Sequence, residues 1–312
     1  MKIFVAGHKG LVGNSILMRL HQSRKKYEII TKDRSELDLT DYAGVFNFFD
    51  KEKPDWVFLA AAKVGGICAN MTYPVEFLLD NLRIQNNVIE ASFRHDVEKL
   101  MFFGSSCIYP RQCPQPIKEE YLLSSELEPT NEFYAIAKIS GIKLCKAYNR
   151  EYGANFISVM PTNLYGINDN YHPQNAHVIP MLIRRFHEAK ENKLKEVVVW
   201  GTGRPMREFL FADDLADACI FLMENYSVAE MGELVNIGTG EDCTILALAE
   251  LIKEIVGYQG KIVLDATKPD GTPRKLLDVS KINLLGWKAS TLLKDGLAVT
   301  YRDFLINPLL RK

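Results

Sequence analysis

The sequence predicts an α/β protein, with a doubly wound parallel-sheet domain first and a smaller α/β domain after it. Three observations carry that expectation. Short, nearly continuous apolar runs alternate with longer segments of helical spacing, the pattern of strands buried on both faces and joined by crossover helices. Three glycines at a spacing of three follow the first apolar run directly. The regular alternation then gives way after residue 166 to a polar, loop-like stretch. With 312 residues, 47% of them hydrophobic, the chain can build two sizeable cores.

The first strand is Lys2 to Ala6 (KIFVA), followed by Gly7-His8-Lys9-Gly10-Leu11-Val12-Gly13 and a helix from Leu11 to about His21. Glycines between a strand and a helix make a tight turn, admit a pyrophosphate to the backbone and let the helix pack on the sheet. The spacing is G-x-x-G-x-x-G and departs from the G-x-G-x-x-G fingerprint, but its place reads as the phosphate-binding turn of a Rossmann domain. Residues 7 to 13 are therefore candidate cofactor contacts. A second strand, Tyr27 to Thr31, leads into Lys32-Asp33-Arg34. An acid there favours a free ribose 2′-hydroxyl and an arginine a 2′-phosphate, so the pair alone is ambiguous. The added charge of Lys9 tips the expectation to NADP, with Arg34 as a contact.

Asp55 to Ala60 is the third strand and ends in Ala60-Ala61-Ala62-Lys63-Val64-Gly65-Gly66, where Ala61 and Ala62 leave room for a ligand. A long helix runs from Pro74 to about His95, and Lys99 to Gly104 is the fourth strand. Another helix starts near Thr130 or Asn131 and ends near Glu151, before Gly153; Asn155 to Met160 is the fifth strand. Pro161-Thr162-Asn163-Leu164-Tyr165-Gly166 then leads into a loop over residues 167–177 that reads as the crossing into the second domain. Beyond it lie a helix with Arg184 and Arg185 (178–192), a strand (196–200), a turn (201–205), Phe209 to Asp214 leading into a helix to about Asn225, and a strand (234–237). A small cap closes the chain: a helix (245–256), a strand (261–264), a basic loop (268–275) and further helices. Residues 1–166 are expected to form the cofactor domain, with 207–238 returning to it, and 167–312 the substrate-binding domain.

A net charge of −1 gives no basic excess to hold nucleic acid or an anionic membrane, so the expected partner is a small molecule. No apolar run approaches the ~18 residues of a membrane span, and the N-terminal run is far short of a signal-peptide core, so a cytoplasmic protein is expected. The six cysteines (68, 107, 113, 145, 219, 243) form no C-x-x-C pair, which suits reduced thiols better than disulfides or a metal site.

Tyr134-Ala-Ile-Ala-Lys138 carries the chemistry. At a spacing of four both side chains leave one helical face, and a charge ~6 Å away at an effective dielectric of ~20 is worth ~3 kcal/mol, about two pKa units. Lys138 is thus expected to lower the phenol's pKa and tune it for proton transfer at a carbonyl oxygen. Ser105, in Gly104-Ser-Ser-Cys-Ile-Tyr-Pro110 at the end of the fourth strand, can donate to the same oxygen. Alone, the tyrosine–lysine spacing is more often an ordinary amphipathic helix, and a serine at a strand end as readily satisfies a turn.

In this order, the glycine turn, Ser105 and the Tyr134–Lys138 pair resemble the extended short-chain dehydrogenase/reductase family over essentially the whole chain. The resemblance is sharpest in segments 104–110, 128–138, 160–166 and 268–275. These are similar to the branch that takes GDP-4-keto-6-deoxy-D-mannose, inverts C3 and C5 and reduces the C4 ketone. It implies that Ser105, Tyr134 and Lys138 catalyse reduction by NADP(H), and that Ser105, Lys138, Pro161, Thr162, Asn163, Leu164 and His177 also contact the cofactor. Cys107 would be the base, as a thiolate, and His177, in Asn175-Ala-His-Val-Ile-Pro180, the imidazolium acid of the inversions. Taken singly, a free cysteine or a lone histidine is more often structural. Arg185, Trp200, Arg207, Asp270, Arg274 and Lys275 would hold the GDP portion, and a homodimer would form through the helices that follow the third and fourth strands. Rival readings are an NAD-dependent nucleotide-sugar 4-epimerase and a non-enzymatic cofactor-sensing regulator. The intact serine, tyrosine and lysine argue against the second.

Overall fold

The computed structural model describes residues 1–173, 176–268 and 270–307, apart from the side chains of Ile67 and Cys68. Cys68 and Asn175, both noted above, therefore lie outside what is described. The first half runs β1 (Lys2–Ala6), α1 (Leu11–Gln22), β2 (Glu28–Ile30), α2 (Tyr42–Glu52), β3 (Trp56–Leu59), α3 (Ile67–Thr72), α4 (Pro74–Arg94), β4 (Lys99–Phe103), α5 (Glu132–Tyr152) and β5 (Phe156–Pro161). The second runs β6 (Asn163–Tyr165), α6 (Val178–Glu191), β7 (Glu196–Trp200), β8 (Met206–Phe211), α7 (Ala212–Asn225), α8 (Val228–Met231), β9 (Leu234–Ile237), β10 (Asp242–Thr244), α9 (Ile245–Val256), β11 (Lys261–Asp265), β12 (Arg274–Lys275), α10 (Ser280–Leu284) and α11 (Leu293–Ile306).

Six parallel strands form the main sheet in the order β2-β1-β3-β4-β5-β9. The alternation of side chains along its strands feeds two cores. Phe4, Val57, Leu59 and Phe102 meet Val45 and Phe49 of α2, Val88 and Ile89 of α4 and Ile142 of α5. Ile3, Val5, Phe58 and Met101 on the opposite face meet Ile16 and Leu20 of α1 and Leu215, Cys219 and Met223 of α7. Burying a side chain such as Phe49 contributes about 1.5–3 kcal/mol each time, which is what holds helices on both faces. The strand order turns back at β1, with β2 on one side of it and β3 on the other, and ligands enter such parallel sheets at the crevice beyond the carboxyl ends there.

α2 is absent from the sequence reading, although its signals are present. Asp41 caps it by accepting from the Ala43 amide at 3.2 Å, and Val45 and Phe49 recur at helical spacing. α4 starts on Pro74, whose missing N–H falls where a helix leaves its amides unpaired, and α5 stops at Gly153 with φ 70°.

A third core lies under the remaining helices, where Leu182 and Phe186 of α6, Leu248 and Ile252 of α9 and Phe304 of α11 cover Val197 and Val199 of β7 and Phe209 and Phe211 of β8. β10 and β12 flank β8, β6 also pairs with β8, and β11 pairs with β7. Cys107, Cys113, Cys145, Cys219 and Cys243 are free thiols. No helix among the described residues is long and apolar enough to cross a membrane.

Candidate active site

β1 ends at Gly7, whose φ of 86° favours glycine and where a Cβ would lie 2.7 Å from the Ala61 backbone. A Cβ on Gly13 would sit on the Gly7 carbonyl, so this turn can pack against both β3's end and α1 only with glycine at both places. No side chain caps α1 and no acid stands in its first turn, leaving its leading amides and positive dipole end for an anion. A cradle of this form fits the pyrophosphate of a dinucleotide.

It opens into a cavity of about 830 Å³. All the expected cofactor contacts except His8 line it: Gly7, Lys9, Gly10, Leu11, Val12 and Gly13 of the turn, Arg34, Ala61 and Ala62, and on the far side Ser105, Lys138, Pro161, Thr162, Asn163, Leu164 and His177. Cys107 and Tyr134 line it as well. His8 turns instead to Asp33, its Nε2 3.3 Å from the carboxylate. Lys9 also bonds Asp33, at 2.6 Å, and holds that carboxyl below its ordinary range. The charge expected from Lys9 is therefore already paired, and Arg34, mostly exposed and 3.6 Å from Asp38, is the less committed cation at the ribose end.

Tyr134 and Lys138 do share the face of α5 that meets β4. Lys138 is buried, donating to the Phe103 carbonyl at 2.8 Å, with its Nζ 4.9 Å from the Phe102 ring and 5.9 Å from that of Tyr134. Ser105 lies close enough to Tyr134 to act on its phenol, and Phe77 stands edge-on to the Tyr134 ring at 6.3 Å. The expected lowering of the phenol's pKa is not what the environment produces. Removal from water acts most strongly on both groups, pushing Tyr134 well above its usual value, further raised by the nearby Cys107, and bringing Lys138 down to about 8. Tyr134 thus rests fully protonated, the form that can donate to an alkoxide.

Ser105 also caps the short turn Ser106–Ile108, its hydroxyl accepting from the Cys107 amide at 3.3 Å, which fixes Cys107 beside Tyr134. His177 is the residue just before α6 and lines the cavity with its surface still exposed. Partial loss of solvent around the ring lowers its pKa from the ordinary value.

The residues expected to hold a GDP group lie outside this cavity, on the neighbouring surface. The Arg185 guanidinium stacks 4.9 Å from the Trp200 ring and donates to the Val198 carbonyl at 3.2 Å, with Lys268 5.6 Å from the same ring. The Asp270 carboxylate accepts from the Thr202 amide and hydroxyl, both at 2.7 Å, tying the basic loop to the turn after β7. Arg207 lies within electrostatic reach of both Asp270 and Cys107. Arg274, expected on the ligand, is instead clasped by Asp242 at 2.6 and 3.3 Å. Lys275 points to Cys107, its Nζ 3.7 Å from Sγ.

Sequence reasoning missed Asp169. It lines the cavity only 4% exposed, Oδ2 has no hydrogen-bond partner among the described residues, and burial pushes its pKa up to about 7. Its only signal was an acid within a loop read as a crossing. No metal-ligating cluster occurs among the described residues.

Residues 3–238 match the model of the NAD dependent epimerase/dehydratase family. The chain is 60% identical over 306 residues to GDP-L-fucose synthase 1 of Arabidopsis thaliana, covering 98% of this chain and 94% of that one. Among solved structures, an NADP-bound GDP-L-fucose synthetase from Naegleria fowleri aligns with a TM-score of 0.90 at 28% identity, over 99% of this chain and 95% of the other. A GDP-6-OMe-4-keto-L-xylo-heptose reductase from C. jejuni aligns with a TM-score of 0.93 at 38% identity, over 98% and 97%.

Proposed function

The chain belongs to the NAD dependent epimerase/dehydratase family, and from that premise we propose that its cavity carries out a GDP-L-fucose synthase reaction. It is an NADP-dependent enzyme that converts GDP-4-keto-6-deoxy-D-mannose to GDP-L-fucose by inverting C3 and C5 and then reducing C4. The observation that carries this reading is that Cys107 and His177 line the same cavity as Ser105, Tyr134 and Lys138. A reductase needs only the last three.

The hydrogens on C3 and C5 are acidic because both carbons flank the C4 ketone. Cys107, as thiolate, takes each in turn while Ser105 and Tyr134 hold the developing enolate oxygen. His177, charged from cavity solvent, returns a proton on the opposite face and so inverts the centre. Bound in the cavity, NADPH supplies the hydride that reduces C4. Tyr134 gives its proton to the resulting oxygen, and Lys138, below pH of about 8 a cation, holds the nicotinamide ribose and favours the phenolate that is left. Arg34 stands for the 2′-phosphate and the glycine turn for the pyrophosphate. Arg185, Trp200 and Arg207 take the GDP portion, since an arginine fork pairs with phosphate oxygens and Trp200 offers a ring face.

A second reading comes from the C. jejuni neighbour, a reductase of a GDP-linked 4-keto sugar: reduction at C4 without inversion. The configuration of the product at C3 and C5 separates the two, and net loss of NADPH separates both from a 4-epimerase, which consumes none. The division of labour broadly follows the chain, with residues 1–166 and the returning 207–238 serving mainly the cofactor and the rest of 167–312, together with Arg207 on β8, serving the nucleotide sugar.

We infer further that the protein pairs as a homodimer through α4 and α5. These helices pack on one another and still present Val75, Leu79, Phe133 and Ile136 to solvent, an apolar patch that a second copy would cover. The combined substitution Leu79→Glu and Ile136→Glu should give a monomer in sedimentation velocity where the unaltered chain sediments as a dimer. A dimer that persists unchanged in the variant would move the interface elsewhere.

A further inference from the structure

We propose that Lys275 belongs to the inversion machinery and not to the diphosphate site: its ammonium stabilises Cys107 as the thiolate that removes the C3 and C5 protons. The proposal rests on the activity assigned above. Its ground is the 3.7 Å contact between Lys275 Nζ and Cys107 Sγ, across a sequence separation of 168 residues. Lys275 has no carboxylate partner within salt-bridge distance among the described residues, so its charge is not spent on another pair.

The backbone around Lys275 is pinned on every side, which makes this contact a built feature. β12 pairs with β8 in the register Arg274 to Met206 and Lys275 to Arg207. Successive strand residues point to opposite faces, so Arg274 reaches Asp242 while Lys275 reaches Cys107. The Leu276 amide donates to Gln115 Oε1 at 2.9 Å and its carbonyl accepts from the Ile117 amide at 2.7 Å. The Leu277 amide donates at 3.0 Å to Glu208, a fully buried carboxylate that also accepts from the Thr239 and Gly240 amides at 2.7 and 2.8 Å.

The other groups around the thiol agree with this role. Arg207, from the adjacent strand, adds a second positive charge within reach of Cys107. Tyr134 rests neutral and places no charge against the sulfur. Cys113 also feels Lys275, but burial dominates there and pushes its thiol up. A thiolate beside lysine and arginine is the form that abstracts protons. In the step itself the C3–H or C5–H bond breaks, an S–H bond forms, and the electron pair moves through C4 onto the enolate oxygen. Lys275 keeps its protons throughout.

The test compares Lys275→Met and Lys275→Arg with the unaltered protein. Iodoacetamide alkylation of Cys107 in substrate-free protein at pH 7, located by peptide mass, should slow about tenfold in the Met variant and recover in the Arg variant. With substrate in D2O, the rate constant for deuterium entry at C3 and C5 should fall about tenfold or more in the Met variant while KM stays near its original value. Unchanged Cys107 alkylation in Lys275→Met would overturn the proposal, as would a raised KM with an unchanged exchange rate, the mark of a diphosphate contact. If the unaltered protein exchanges no deuterium while Lys275→Met still loses alkylation, the lysine–thiolate pair stands and the assigned activity fails.

Discussion

Tyr134→Phe should lower NADPH-dependent reduction of the 4-keto sugar by about 10³-fold, a loss of about 4 kcal/mol of transition-state stabilisation. The phenol rests protonated in the cavity, with Ser105 near it and Lys138 Nζ 5.9 Å from its ring. Removing only the hydroxyl leaves the ring's packing against Phe77 and the glycine turn's hold on the cofactor in place. NADPH affinity, read by fluorescence titration, should stay within about threefold of the original. Deuterium entry at C3 and C5 should slow less than reduction, because Ser105 still supports the enolate. Loss of cofactor binding in parallel with turnover would instead make Tyr134 a structural residue of the pocket.

Cys107→Ser and His177→Gln should each cut deuterium entry at C3 and C5 by about 10²–10⁴-fold, the range that a positioned acid or base supplies. A serine hydroxyl cannot become an anion beside a lysine as a thiol can, and glutamine cannot carry a proton to carbon. Reduction at C4 should survive in both variants and give a product that keeps the configuration of the substrate. Exchange unchanged in both would remove these residues from the mechanism and favour the reading as a reductase alone.

The parts of this site that are local in the chain were legible in its sequence. KIFVA followed by spaced glycines and a helix can hardly be built otherwise, and Gly7 and Gly13 prove to be places where a Cβ has no room. Four-residue spacing put Tyr134 and Lys138 on one face for the same reason. What spacing could not supply was the environment. It gave the Coulomb pull of Lys138 on Tyr134 but not the loss of solvent around both, which turns out larger and acts in the opposite sense on each. Nor could it say which cations are free. Lys9 is taken by Asp33 and Arg274 by Asp242, while Lys275 finds a cysteine far away in the chain. Each of those pairings is set by how β8, β10 and β12 or the first two strands come to lie side by side. α2 was missed for a different reason: Asp41, Val45 and Phe49 spell a capped helix, but the segment lies between two strands whose stronger signals framed it as connection.

The most direct measurement is the reaction itself: purified protein, GDP-4-keto-6-deoxy-D-mannose and NADPH in D2O, with the product identified by NMR. The expected product is GDP-L-fucose, deuterated at both C3 and C5, with one equivalent of NADPH oxidised for each molecule formed. A reduced sugar with its original C3 and C5 configuration and no deuterium at either carbon would contradict the assignment of Cys107 and His177 as the inverting pair.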